Sequence, residues 1–543
     1  MKKRDGWMAA AGAFVVLIVL ALAVTAMLWK KGGQLTVDLK HGISFHRDRV
    51  ATESVFGRFK SASFGDSLGG PQVIPADHQA RPGSPNIVFI LTDDLSPNLL
   101  QFMPHVLAMQ HDGVTFANSF VTDSLCCPSR ASIFTGQFPH NTGVFRNLEP
   151  DGGYRVFNAL GNESRTFAVA LQRAGYKTAM LGKYLNRYHP SENGAAMGWN
   201  EWDVAGQAYQ EFNYLLNQNG KVVNYGAKPE DYLTDVLSRI AVKFVKQSAH
   251  TPFFIEVATF APHHPYVPAP RDKDAFPGLH APRTPAYDAP LDAHDPKWIA
   301  KLPPLSDDDM ASIDRDFRRR AQSMLAVDKM IADIQAAVAA IGQEKNTYFV
   351  FSSDNSLHMG EHRLMPGKET AFDTDIHVPL VVTGPSIAPG RILDEVVENI
   401  DLSPTFAELA GAAIPDTSDG RSLIPLLRGE PVTNWRTIAL IEHHGPGVME
   451  NDSDDPDAPE SRGGNPPSYE AIRTLKSLYV EYADGTHEYH NRVHDPDELR
   501  NTFSSLPKAT AKSLHAQAVA LHGCRTAQSC WQSASPAPIN AQK

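Results

Sequence analysis

Cysteine is scarce in this chain: there are four in 543 residues, at positions 126, 127, 524 and 530. That scarcity excludes a disulfide-built scaffold, and no further Cys or His at zinc-site spacing accompanies Cys524 and Cys530. Basic residues are outnumbered, 50 Lys and Arg against 61 Asp and Glu, for a net charge of -11. No long basic stripe offsets this, so nucleic acid is not an expected partner, because phosphate backbones are held mainly by clustered Lys and Arg. No internal repeat is present, which excludes a repeat array. Hydrophobic residues at 42% and charged residues at 20% are ordinary for a globular protein. The length calls for a large domain plus a smaller one.

One long apolar run stands apart. Residues 6–29 carry no charge and lie between Lys2, Lys3 and Arg4 on one side and Lys30 and Lys31 on the other. About 20 apolar residues cross a bilayer as a helix. The length favours an uncleaved signal anchor over residues 1–33, so the membrane is an expected partner. In the alternative, Ala21-Leu22-Ala23 or Val24-Thr25-Ala26 is cut and the protein is secreted. Either way the bulk of the chain is expected on the periplasmic or extracellular face. Disulfides persist there, and Cys524 and Cys530 are expected to form one. Residues 34–84 show no sustained periodicity and read as a tether.

From residue 86 the pattern changes. Asn86-Ile87-Val88-Phe89-Ile90-Leu91 is a short apolar run of the kind that makes a buried parallel strand. Pro252-Phe253-Phe254-Ile255-Glu256-Val257, Thr347-Tyr348-Phe349-Val350-Phe351 and Val378-Pro379-Leu380-Val381-Val382 follow the same form. Ser306 before Asp307, Asp308 and Asp309 is an N-cap with acid in the first turn, opening an amphipathic helix to about residue 340. Strands alternating with helices predict an α/β domain over 85–430, with a large, mostly parallel sheet flanked by helices. Short strand-like pieces and a terminal helix near 506–522 predict a smaller C-terminal α+β subdomain over 431–543. Residues 265–305 and 445–468 read as surface loops.

The chemistry gathers at strand ends. The first strand runs into Asp93-Asp94 and the third into Asp354-Asn355, and ligands collect at the carboxyl ends of strands in open α/β sheets. Three carboxylates and an amide oxygen make a hard, all-oxygen set suited to Ca²⁺ or Mg²⁺. An Asp pair after a strand can equally form a turn or cap a helix. The stretch Leu125-Cys126-Cys127-Pro128-Ser129-Arg130 fits the sulfatase signature Leu-Cys-x-Pro-Ser-Arg. With it come Gly182-Lys183, His263-His264-Pro265 and Gly367-Lys368, in the order that sulfatases carry them. The chain thus resembles the formylglycine-dependent sulfatases over about 85–505, with an alkaline-phosphatase/sulfatase-like fold. Gly182-Lys183-Tyr184-Leu185-Asn186 and Gly360-Glu361-His362-Arg363-Leu364 look most like the N-acetylglucosamine-6-sulfatase branch.

That resemblance implies hydrolysis of sulfate monoesters, of small aryl sulfates or a sulfated carbohydrate. Cys126, not Cys127, would be converted to formylglycine by a formylglycine-generating enzyme and also join the metal. Asp93, Asp94, Asp354 and Asn355 would hold the divalent cation. Arg130, Lys183 and Lys368 would surround the sulfur with positive charge, and His263 would serve as general acid or sulfate ligand. One hydroxyl of the hydrated aldehyde would attack sulfur, and loss of the second hydroxyl's proton would expel sulfate. Many family members carry a histidine after the Gly-Lys, where this chain has Leu185-Asn186, so the base for that second step is open. His140, His358, His362 and His377 are candidates, and His443 and His444 could reach the pocket. Two rival readings remain: a phosphonate or phosphate monoester hydrolase of the same superfamily, and a membrane-tethered binding protein without catalysis.

Overall fold

The computed structural model describes residues 69–291, 294–445 and 462–535, together with the backbone of two strands nearer the N-terminus. Those two, β1 (Gln34–Asp38) and β2 (Gly42–His46), pair antiparallel inside the segment expected as a tether. Residues 1–33, expected as a signal anchor, lie outside the described residues. Among the described residues, no helix is long and apolar enough to cross a membrane.

The unit from Ser67 onward is built on a ten-stranded sheet. Its strands are β3 (Asn86–Thr92), β4 (Val114–Phe120), β5 (Lys177–Lys183), β6 (Glu201–Ala205), β7 (Leu215–Gln218), β8 (Lys221–Asn224), β9 (Phe253–Ala258), β10 (Thr347–Ser353), β11 (Leu380–Thr383) and β12 (Arg391–Glu398). The order across the sheet is β12-β4-β11-β10-β3-β9-β5-β6-β7-β8. The central five, β10, β3, β9, β5 and β6, are mutually parallel. The fourth apolar run expected as a strand is β11, which starts after Pro379 and runs antiparallel to β10 and β4.

Both faces of this sheet are covered, which is why its central strands read as continuous apolar runs rather than alternating ones. Successive side chains of β3 part to opposite sides. Val88 and Ile90 pack with Val236 and Leu237 of the helix Leu233–Gln247 and with Met324 and Val327 of the helix Asp307–Ala340. Ile87, Phe89 and Leu91 pack on the other face with Phe134, Phe167 and Phe406. The helix Asp307–Ala340 opens as its sequence predicts: the Ser306 hydroxyl accepts from the Asp309 N–H, and the Asp309 carboxylate accepts from the Ser306 N–H.

A four-stranded antiparallel meander follows: β13 (Ile438–His443), β14 (Tyr469–Thr474), β15 (Ser477–Tyr482) and β16 (His487–Asn491). Leu440, Ile472 and Tyr479 pack on Leu514, Ala518 and Leu521 of the helix Lys508–His522. Ala439, Ile441, Ala471 and Val480 face Phe120 and Ile376 of the larger body. Cys524 and Cys530 are bridged, as expected.

Candidate active site

The sheet register brings the predicted residues together. Ser353 of β10 lies beside Thr92 of β3, so Asp354 and Asn355 emerge next to Asp93 and Asp94. Lys183 ends β5, and the loop after β9 carries His263. Two of these positions have a backbone reason. A Cβ at Gly182 (φ 92°) would lie 1.9 Å from the Ala258 carbonyl oxygen, so only glycine lets β5 deliver Lys183 against β9. Asp94 has φ 65°, a left-handed conformation that costs a non-glycine residue about 1–3 kcal/mol. Buried Arg320, on the helix Asp307–Ala340, donates to the Asp94 carbonyl and to the Ser96 hydroxyl, which holds that turn in place.

Cys126 is the first residue of the helix Cys126–Thr135, whose N-terminal dipole favours negative charge at that end. Its Sγ lies 2.9 Å from Lys368 Nζ and 3.3 Å from Asp93 Oδ1. Lys183 Nζ donates to Asp93 Oδ2 at 2.6 Å, and Lys368 Nζ donates to Asp94 Oδ1 at 2.7 Å. Arg130 Nε donates to Asp354 Oδ2 at 2.8 Å, while its Nη1 donates to the Lys183 carbonyl at 2.9 Å. His263 Nε2 is 3.6 Å from Asp94 Oδ2. All these side chains are buried, and every residue expected at the site is there.

Burial alone would neutralise these groups, yet their neighbours hold the charges. Burial opposes the Lys183 ammonium, but Asp93 and Cys126 keep its pKa well above the usual value. Burial likewise works against the Arg130 guanidinium, which Asp354 and Asp93 hold raised. Asp354 stays below the usual carboxylate range because Arg130 and Lys183 outweigh its burial. Cys127 is different: burial pushes its thiol up to about 12, so it stays an inert neighbour.

The carboxylates also fit a hard cation. One ligand atom each from Asp93, Asp94, Cys126 and His263 lie within 4.8 Å of one another. The Asn355 amide nitrogen donates to Asp94 Oδ1 at 2.7 Å and to the Ser356 carbonyl at 2.8 Å, leaving its buried Oδ1 with no hydrogen-bond partner. An orphaned buried acceptor beside three carboxylates is the donor chemistry Ca²⁺ or Mg²⁺ takes. Asp93, Asp94 and Asp354 already balance Arg130, Lys183 and Lys368 in charge. A divalent cation would leave the site net positive toward an anionic ester.

The other histidines sort themselves. His264 is exposed. His358 Nδ1 sits 2.9 Å from Asp375, and His377 Nε2 lies 3.0 Å from the Ala117 carbonyl oxygen. His362 stacks on Phe372, and burial lowers its pKa to about 3. His140 pairs with Glu442, and His444 pairs with Asp151. Asn186 is buried with its amide 3.5 Å from the Tyr209 hydroxyl. Tyr209 also meets the His263 ring at 4.5 Å and the Lys183 ammonium at 5.1 Å.

Sequence reasoning missed Arg320, Tyr209 and Asp123; the structure pairs Asp123 with His443, a residue the sequence offers as able to reach the pocket. Both are fully buried. Neither carboxyl oxygen of Asp123 and neither ring nitrogen of His443 has a hydrogen-bond partner, and Nδ1 and Oδ1 are 3.7 Å apart. Burial and the nearby Glu369, Glu442 and Asp151 hold the Asp123 carboxyl well above its usual range. Burial lowers His443 to about 3. Asp123 precedes the nucleophile position by three residues, the only local hint.

Residues 85–412 match the sulfatase family model. The chain belongs to the sulfatase family. It is a sulfuric ester hydrolase of alkaline-phosphatase-like fold, acting on sulfate monoesters. Residues 360–522 of this sulfatase also match the model described as N-sulphoglucosamine sulphohydrolase, C-terminal. Human N-acetylglucosamine-6-sulfatase is 33% identical over 473 residues, covering 81% of this chain and 85% of the relative. A solved structure described as a complex with its substrate D-glucosamine-2-N,6-O-disulfate superposes with a TM-score of 0.63 at 22% identity, over 80% of this chain and 96% of that one. The phosphonate monoester hydrolase of Agrobacterium radiobacter gives 0.61 at 22% identity, over 80% and 96%. At those identities the two structures speak for the fold alone.

Proposed function

We propose that this sulfatase removes sulfate from a sulfated amino sugar, with Cys126 as the residue converted to formylglycine and Asp93, Asp94, Asp354 and Asn355 holding a divalent cation. The observation that carries the reading is the position of Cys126, set between Lys368 and Asp93 at the carboxyl ends of β3 and β10. The hydrated aldehyde supplies two hydroxyls, one to attack sulfur and one whose deprotonation expels sulfate, and the cation supplies positive charge beside them.

The chain's own residues do the rest. Lys183, Lys368 and Arg130 hold fixed positive charge where the sulfate oxygens gather, and their carboxylate partners keep them oriented before substrate arrives. His263 Nδ1 lies 2.7 Å from the His264 carbonyl oxygen, which can only accept, so that nitrogen carries a proton and Nε2 faces the site. A proton on Nε2 is then placed to pass to the leaving alcohol oxygen. Having given it up, the same imidazole is the base for the second step. That removes the need for a histidine in the place of Asn186.

A sugar is supported by two things. The human relative that matches over most of both chains is, by name, an N-acetylglucosamine-6-sulfatase. Asp123, whose carboxyl is held well above its usual range three residues before Cys126, and its neighbour His443 each lack a hydrogen-bond partner and suit hydroxyls that both donate and accept. The apolar run at residues 6–29 and the Cys524–Cys530 bridge support an exported location.

The test is protein made with a formylglycine-generating enzyme and assayed on N-acetylglucosamine 6-sulfate, other sulfated saccharides, p-nitrophenyl sulfate and p-nitrophenyl phosphate. Turnover of a sulfated amino sugar, lost with chelator and restored by Ca²⁺ or Mg²⁺, is expected. Turnover of phosphate without sulfate would overturn the reading. Mass spectrometry of the peptide holding Cys126 should show aldehyde in place of thiol, and an unmodified thiol in active protein would refute that part.

A further inference from the structure

A second cluster of metal-ligating side chains lies away from the catalytic residues, where the C-terminal sheet meets its covering helix. His140 comes from the short helix Pro139–Thr142, Glu442 from β13, Glu470 from β14 and His522 from the end of the helix Lys508–His522. His140 Nδ1 and His522 Nδ1 each lie 2.8 Å from a different oxygen of Glu442. His522 Nδ1 is also 3.1 Å from Glu470 Oε1. One ligand atom each from His140, Glu442 and His522 fall within 4.8 Å of one another.

Two features make this group a candidate for a bound cation. The His140 Nε2 is 2.9 Å from the carbonyl oxygen of Cys524. A carbonyl only accepts, so Nε2 carries a proton. The 2.8 Å contact of Nδ1 with Glu442 then holds either a second ring proton or a metal ion. Around His522 the crowding repeats, with two carboxylates converging on one ring nitrogen. Moreover Glu442, Glu470 and His522 line a surface cavity of about 250 Å³, so an ion has a route in. Glu442 is a buried residue of the cavity lining with His140 behind it, while the His522 side chain is 40% exposed.

We propose that His140, Glu442, Glu470 and His522 form a second divalent-cation site, of zinc type. Two neutral imidazoles and two carboxylates are a four-ligand N/O set, and their charge balances one Zn²⁺. The second ring nitrogen of His140, fixed by the Cys524 carbonyl, is the outer-shell support that metal-bound histidines have. Cys524 and Cys530 are bridged to each other and supply no thiolate. Tetrahedral zinc spaces its ligand atoms by about 3.4 Å, so both imidazole–Glu442 contacts, each 2.8 Å, must open by about half an ångström on binding. The partly exposed His522 side chain can shift outward, and the Glu442 carboxylate can turn away from His140. The ion would tie the sheet, the helix Lys508–His522 and the segment after the nucleophile-bearing helix at one point.

The experiment uses full-length protein without a histidine tag, stripped by chelator, repleted with Ca²⁺ to fill the catalytic site, and titrated with Zn²⁺ against a chromophoric competitor. One equivalent of zinc is expected to bind at micromolar concentration or tighter. His522→Ala and Glu470→Gln should each weaken that binding at least about tenfold, and the double variant should lose the equivalent, with sulfate-ester turnover unchanged. Anomalous diffraction at the zinc edge should place the ion between His140 and His522. Absence of zinc uptake, or equal uptake by wild type and double variant, overturns the proposal and leaves a proton-bridged His–Glu network.

Discussion

Two buried ionic clusters in this protein are made of the same residue types and do different work. One joins Asp93, Asp94 and Asp354 to Arg130, Lys183 and Lys368 around Cys126. The other joins Glu398, the last residue of β12, and Asp401, just after it, to Arg436, just before β13. In the second cluster the backbone closes around the acids. Glu398 accepts from the Leu440 N–H, while Asp401 accepts from the N–H groups of Glu398 and Arg421. Its three side chains tie the large sheet to the C-terminal one. In the first, each cation comes from a different segment, and Asn355 Oδ1 and Arg130 Nη2 have no hydrogen-bond partner. A cluster whose unmet valences lie around Cys126 is poised for a ligand, whereas one whose acids are met by backbone N–H groups, with only Arg436 Nε left over, is a rivet.

The sharpest break between the two is at Cys126. Cys126→Ala should lower kcat on any sulfate ester by about 10⁴-fold or more, since the proposed nucleophile is removed. Its melting temperature should stay within a few degrees of wild type. Cys127→Ala is the control. It trims a buried thiol, costs about 1 kcal/mol of stability, and leaves kcat within about threefold. Equal loss from both variants would mean that the helix start, rather than the sulfur at 126, carries the activity.

Next come the lysines. Lys368→Ala or Lys183→Ala should lower kcat/KM by about 10²–10³, the range seen when one preorganised charge or donor is removed from a transition state. The fold should survive, because Asp94 and Asp93 keep other donors. Arg436→Met in the other cluster should do the reverse. Breaking one partner of a buried pair costs about 3–5 kcal/mol, so the denaturant midpoint should fall steeply. Turnover per folded molecule, measured well below the transition, should stay near wild type. If Arg436→Met reduced turnover without touching stability, the division between the clusters would fail.

Much of this division was legible in the chain, for reasons that show where legibility ends. The strands β3, β9 and β10 are buried on both faces, so each is a continuous apolar run and announces itself. Their carboxyl ends carry the acids next in sequence, so the meeting of Asp93, Asp94, Asp354 and Asn355, the proposed metal cradle, could be read from local order alone. The direction of β11 could not, because Leu380-Val381-Val382 looks the same running either way. Edge strand β12 was silent: half-buried and exposed residues alternate over its first five positions, only its last three are buried, and polar residues interrupt it. Arg320 was silent for a different reason. In Arg318-Arg319-Arg320 nothing distinguishes the buried arginine from its solvated neighbours until the helix is laid against the Asp94 turn. Asp123 and His443 meet only when β13 docks beside the nucleophile loop, and no spacing within one segment encodes that.

The last comparison sets the clusters against an acid that has no rivet. Glu256 lies in the middle of β9, fully buried, with no hydrogen-bond partner on either carboxyl oxygen. Burial raises its pKa to about 8, and Arg130 only partly opposes this. The folded protein therefore keeps a proton on Glu256 that the unfolded chain releases near the ordinary value of 4.5. Between those values the native state binds more protons than the unfolded one, so stability is greatest below about 4.5 and falls as pH rises toward 8. A single group of this kind contributes a slope of at most about 1.4 kcal/mol per pH unit across the window, and none above it. Glu256→Gln keeps the shape without the titration, so its melting temperature should exceed that of wild type at pH 8 and converge with it near pH 4.5. The difference between the two proteins across that range isolates Glu256 from the paired carboxylates, whose own pH dependence is common to both. A difference that is flat with pH would mean that Glu256 is charged and paired in the native state, like the acids of the two clusters.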